Sequence, residues 1–104
     1  MNFNEVIKQA GDFQKKMEAM KQEMYNMEFE GKAGGGLVNV TLKGDGKIKF
    51  LKLDESLCNP SEKEVLEDLI VAAFNDAKEK HEKDSQARMG SLMGGFLPGF
   101  KLPF

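Results

Sequence analysis

Lys8, Lys15, Lys16 and Lys21 fall on one flank of any helix built over residues 3–27, opposed there only by Glu23. Glu5, Asp12 and Glu18 occupy the other flank with no basic residue among them. A stripe of ammonium groups can neutralise phosphates, or it can set pairing and orientation between helices in a coiled coil. The pattern alone favours pairing, because 15 Lys+Arg face 17 Asp+Glu and the net charge is −2. A second basic stretch holds Lys32, Lys43, Lys47, Lys49 and Lys52 against Asp45, and lysines on edge strands also deter aggregation. It is followed by an acidic one, in which Asp54, Glu55, Glu62, Glu64, Glu67 and Asp68 outnumber Lys63.

Catalytic chemistry finds little to work with. Gly34-Gly35-Gly36 lacks the Gly-Lys-Ser/Thr and the helix start of a phosphate loop, and Gly44-Asp45-Gly46-Lys47 runs into a strand. His81 lies between Lys80 and Glu82 on a polar helical stretch, which reads as a surface histidine rather than a general base. Cys58 has no neighbouring histidine to activate it. One Cys and one His cannot make a zinc site within one chain, and a lone Cys fits a reducing compartment. No enzyme, cofactor, metal or small-molecule substrate is therefore expected. The longest apolar run, Leu69 to Phe74, is far too short to span a membrane. The opening Met1-Asn2-Phe3-Asn4-Glu5 shows no secretory pattern, so an intracellular domain is expected.

The elements that must carry these charges follow from hydrophobic period. Phe3, Val6, Ala10, Phe13, Met17, Met20, Met24 and Met27 keep a 3-4 spacing with every a and d position apolar. This predicts a helix over 3–27, about 37 Å long, which must project from a domain whose radius of gyration should be about 13 Å. Gly11 falls away from the seam, as a tolerated surface defect. The period then drops to two, predicting an antiparallel meander of strands at about 27–32, 37–43 and 46–53. A phase slip at Phe50-Leu51 predicts a bulge there, or a strand buried on both faces. A second helix over 61–89 should open on a Ser61–Glu64 capping box. Its wide apolar stripe would cover the sheet, and the pairs Glu79–Lys83 and Asp84–Arg88 would support a polar extension. Residues 90–104 are expected to be a non-helical Gly/Pro-rich tail. All 104 residues make one domain, of class α+β.

In this order, Gly35 to Thr41, Leu53-Asp54, Leu66 to Leu69, Ala72-Ala73-Phe74-Asn75-Asp76-Ala77 and the closing Leu97 to Phe104 resemble the YbaB/EbfC family of nucleoid-associated proteins. The resemblance implies helix, three strands and helix, paired through the sheet into a tweezer-like homodimer. It also implies binding to double-stranded DNA with altered DNA conformation, on the bacterial nucleoid in the cytoplasm, with effects on gene expression. The chain departs from it in its acidity and in Cys58-Asn59-Pro60, which reads as a loop variant. Under this resemblance Lys8, Lys15, Lys16 and Lys21 become the expected phosphate contacts, with Lys78, Lys80, Lys83 and Arg88 on the second helix. Val38, Val40, Leu42, Ile48 and Phe50 are the expected dimerisation residues. The alternative is a prefoldin-like chaperone, in which paired helices grip a protein segment with the methionine seam and no nucleic acid is bound.

Overall fold

Asn2 starts the first helix by accepting the Glu5 backbone N–H on Oδ1 at 2.8 Å. A computed structural model describes residues 2–96. Helix α1 (Phe3–Tyr25) leads to strands β1 (Glu28–Ala33), β2 (Val38–Lys43) and β3 (Ile48–Leu53), and helix α2 (Lys63–Phe96) follows. The sheet is antiparallel in the order β1-β2-β3. The α+β class and the helix–meander–helix order agree with the sequence pattern.

Period-two alternation puts Phe29, Val38, Val40 and Leu42 on one face, and all four are buried with Ala73 and Ala77 of α2. The helix sits unusually close to β1 because the contact is made from small residues. A Cβ placed on Gly31 would lie 1.9 Å from the Ala73 carbonyl oxygen and 2.8 Å from the Ala77 Cβ. Polar contacts fix the same seam. Asp76 Oδ2 accepts the Lys32 backbone N–H at 3.1 Å, and Lys80 Nζ donates to the Glu30 carbonyl at 2.8 Å. These bonds occupy backbone groups on the outer edge of β1. The Lys32 N–H, and secondarily the Lys80 ammonium, hold the Asp76 carboxyl below its ordinary value of 3.8.

Several expectations need correction. Residues 90–96 are helical: α2 runs on through Gly90 and Gly94 to Phe96. Met89, Leu92 and Met93 are half-buried there, and such burial outweighs a propensity cost of about 1 kcal/mol per glycine. The expected tail from Leu97 to Phe104 lies outside the described residues. The Ser61–Glu64 capping box does not form, because Pro60–Glu62 is a separate 3₁₀ turn in which the Ser61 hydroxyl donates to Asn59 Oδ1. The bulge expected near Phe50-Leu51 is present: register slips between Thr41 and Leu42, so Lys49 and Phe50 together oppose Thr41. Finally, β3 is an edge strand exposed along nearly its whole length rather than one buried on both faces. The first helix also stops at Tyr25, two residues short of the expected Met27, and Asn26 caps it.

The Gly31 contact predicts that Gly31→Ala costs about 3 kcal/mol or more, a fall in thermal midpoint of roughly 12 °C or more. Gly11→Ala, with nothing within 4 Å of its Cβ, should instead raise the midpoint; parallel thermal melts by circular dichroism check both. Asp76 has a depressed folded pKa, so its stabilisation exists above the unfolded carboxylate range and drains as pH falls through the folded value. Asp76→Ala should therefore be less stable than the native protein at pH 7, with the gap narrowing at pH 3, in urea denaturation at the two pH values.

Candidate nucleic-acid interface

Helix α1 has no buried residue, and its end nearest the chain start is bare: Phe3 is 77% exposed, with Val6 and Ile7 also exposed. The molecule measures 69 × 24 × 15 Å with a radius of gyration of 19.6 Å, against about 13 Å for a compact chain of this length. The projection expected from the heptads is therefore real, but the seam has a partner within the same chain. Ser85 Oγ of α2 donates to the Met24 sulfur at 3.2 Å, and Arg88 pairs with Glu23 at 3.3 Å. The helices run antiparallel from that crossing, and Phe13, Met17, Met20 and Met24 are half-buried. A methionine seam occupied in this way is not a free groove for a client protein, which removes the feature behind the chaperone alternative.

The lysine stripe on α1 faces solvent. Lys8, Lys15, Lys16 and Lys21 are all exposed, and the seven-residue step from Lys8 to Lys15 keeps them in line, about 10 Å apart. Among the described residues Lys8, Lys15 and Lys21 form no ion pair, and Lys21 Nζ lies 5.6 Å from the Tyr25 ring centroid. The candidates on α2 are placed less well for phosphates. Lys78 is exposed. Lys80 is spent on Asp76 (3.2 Å) and the Glu30 carbonyl, and Lys83 on Glu79 (3.2 Å). Arg88 is a correction: its side chain is only 20% exposed and is shared between Asp84 (2.7 Å) and Glu23 (3.3 Å). The hydrogen bond that Arg88 donates to Asp84, and after it the contact with Glu23, push its pKa up. Arg88 thus binds α1 to α2. The i,i+4 pair with Asp84 was readable from spacing, whereas the reach to Glu23 crosses between helices and left no local signal.

The expected dimerisation residues divide. Val38, Val40 and Leu42 are at most 2% exposed beneath α2 and cannot meet a second copy; this is a correction, since the helix of the same chain consumes the alternation. Ile48 and Phe50 remain about half exposed, but on opposite faces, because the bulge turns Phe50 away from α2. His81 also departs from expectation. It is half-buried, Nε2 lies 2.8 Å from the Gly44 carbonyl, and the ring meets Phe29 edge-on at 5.1 Å, so it packs against the core. Among the described residues no cluster of His, Cys, Asp or Glu could hold a metal, and no helix is long and apolar enough to cross a membrane.

Comparison with known proteins places this geometry. The YbaB/EbfC DNA-binding family matches residues 1–96. The chain belongs to this family. A nucleoid-associated protein of Rickettsia felis is 50% identical over 106 residues, covering 100% of this chain and 99% of its own length. One from Rickettsia akari is 48% identical over the same span. The crystal structure of an uncharacterized Helicobacter pylori protein shares the fold with a TM-score of 0.81 at 23% identity, covering 90% of this chain and 99% of that one. In this YbaB/EbfC chain the Ala73, Asp76 and Ala77 that carried the sequence resemblance are the residues that seat α2 on β1.

If Arg88 is a clasp, Arg88→Ala should speed hydrogen exchange severalfold along α1 while the amides of β1 and β2 keep their protection. Mass-spectrometric hydrogen exchange on the native and variant proteins checks this.

Proposed function

We propose that this chain binds double-stranded DNA with little sequence preference and alters its conformation as a nucleoid-associated protein of the cytoplasm, working as a homodimer. The observation that carries the reading is the α1 stripe, in which exposed, aligned lysines stand on a projecting helix with their carboxylates segregated to the opposite flank. Ammonium groups spaced along a rod suit a phosphate backbone and read little base sequence. The printed names of the Rickettsia relatives and of the family support the nucleoid and DNA parts of the reading. The dimer is supported by apolar surface that one chain leaves bare. Ile48 and Leu51 on the α2 side of β3, and Val65 on α2, are each more than two-fifths exposed. Covering this side would bring two bodies together at the edge of the sheet and leave the arms outside.

Binding to mixed-sequence duplex across a salt series tests the proposal. Four phosphate contacts on one arm predict a slope of about −3.6 in log affinity against log salt. Reversing Lys15 and Lys16 to Glu should flatten that slope and weaken binding while sedimentation still finds the dimer. A flat salt response in the native protein would defeat the reading.

A further inference from the structure

The face of the sheet turned away from α2 has no role in the duplex reading, yet it gathers the second basic stretch of the sequence. Register places its residues in rows across the three strands. Lys32, Asn39 and Lys52 form one row; Glu30, Thr41 and Phe50 the next; Glu28 and Lys43 the third. The bulge adds Lys49 beside Phe50, and Lys49 is paired with Glu28. The face therefore carries four lysines and two glutamates, and one of those glutamates is already neutralised. In the middle stands Phe50, 51% exposed and opposite the buried Thr41. A groove of about 250 Å³ runs between Lys32, Asn39, Thr41, Phe50 and Lys52, with Glu30 at its side. Asn39 donates its amide to the Gly36 carbonyl at 2.8 Å, which leaves Oδ1 to accept from a ligand.

We propose that this open face binds single-stranded nucleic acid, with one unpaired base stacked on Phe50 and the adjoining phosphates on Lys32 and Lys52. A half-exposed aromatic ring with lysines on the adjoining row is the chemistry of a stacking platform on a sheet. Charge selects the occupant. Two copies of a lysine-rich face repel one another, and the apolar side suited to a second copy lies on the other face of β3, at Ile48 and Leu51. The side of the groove at Glu30 is unfavourable to phosphate, so the strand follows the Lys32–Asn39–Lys52 row. In a duplex each base has its faces covered by stacked neighbours and its edge by the complementary strand, so no base face is open to Phe50. Duplex cannot use this site, and the proposal stands apart from the lysines of α1.

The test uses the full chain, a fluorescent twenty-nucleotide oligothymidylate and a mixed-sequence duplex. Phe50→Leu keeps an apolar side chain but loses the ring; it should weaken oligothymidylate binding about tenfold or more and leave duplex binding unchanged. The protein contains no Trp, so Phe50→Trp installs a single reporter, whose emission should be quenched by the oligonucleotide and unmoved by duplex. Three results would overturn the proposal: no oligothymidylate binding by the native protein, binding undiminished in Phe50→Leu, or Phe50→Trp emission unmoved at saturating oligonucleotide. A loss of binding that accompanies dissociation of the dimer in sedimentation would also overturn it, by assigning the face to a second copy. Failure of the duplex reading appears separately, in the salt series on the native protein.

Discussion

Everything in this fold rests on how closely α2 approaches β1. The sheet has only three strands of six residues each, and a sheet that small is stable only with a helix across one face. The contact is built from Gly31, Ala73 and Ala77, the last two 0% exposed. Removing side-chain bulk at this point lowers the helix far enough for Asp76 and Lys80 to reach backbone groups on the outer strand. It also brings Val38, Val40 and Leu42 of the central strand under the same helix. One steric minimum therefore sets both the core and the polar protection of an edge. The opposite edge, β3, is beyond the reach of α2, so Ile48 and Leu51 stay bare. The surface that suits a second copy follows from the narrowness of the first contact.

The same helix then supplies the second half of the molecule. Beyond His81 it leaves the sheet and runs beside α1, where Arg88 joins Asp84 on its own helix to Glu23 on the other. An arginine fork suits this, because one planar group can meet two carboxylates at fixed angles. A short turn has little power to orient a projecting helix; an ion pair and a methionine packed one turn from the body have more. The Gly44 turn adds to this junction, since a Cβ there would lie 1.7 Å from the Met24 carbonyl oxygen. The direction of the arm is thus decided at its base, and the lysines of α1 inherit it.

Much of this was legible in the sequence, and the failures have a common cause. The 3-4 spacing from Phe3 to Met27 and the alternation over Val38, Val40 and Leu42 located a helix and a strand, because period reports which face is buried. It does not report what buries that face. The methionine seam and the valine stripe both asked for a second molecule, yet α2 of the same chain covers the valine stripe and meets the seam at Met24, leaving Phe3 and Val6 bare. Arg88 was misread for the same reason: its charge suggested phosphate, and its partner Glu23 lies 65 positions away. Gly90 and Gly94 signalled an end to the helix because propensity is local, while the packing that carries α2 to Phe96 is not. Phe50 showed in the sequence as a slip of phase, but only the register of β3 reveals which way the bulge turns it.

Net charge is the remaining tension, since a chain at −2 should avoid a polyanion. Distance resolves it. At physiological salt a charge is felt over about 8 Å. Glu5, Asp12 and Glu18 lie on the far flank of α1, across a helix about 10–12 Å in diameter with its side chains. The acidic start of α2 is farther away still. From the level of Arg88, which pairs beside Lys21, back to Asp68 is 20 residues of helix, or about 30 Å. A phosphate at the α1 stripe is therefore more than one screening length from the far-flank carboxylates and several from the acidic start of α2. In the proposed function the arm meets a polyanion as a basic rod, and the length of the molecule makes its total charge a poor guide to its surface.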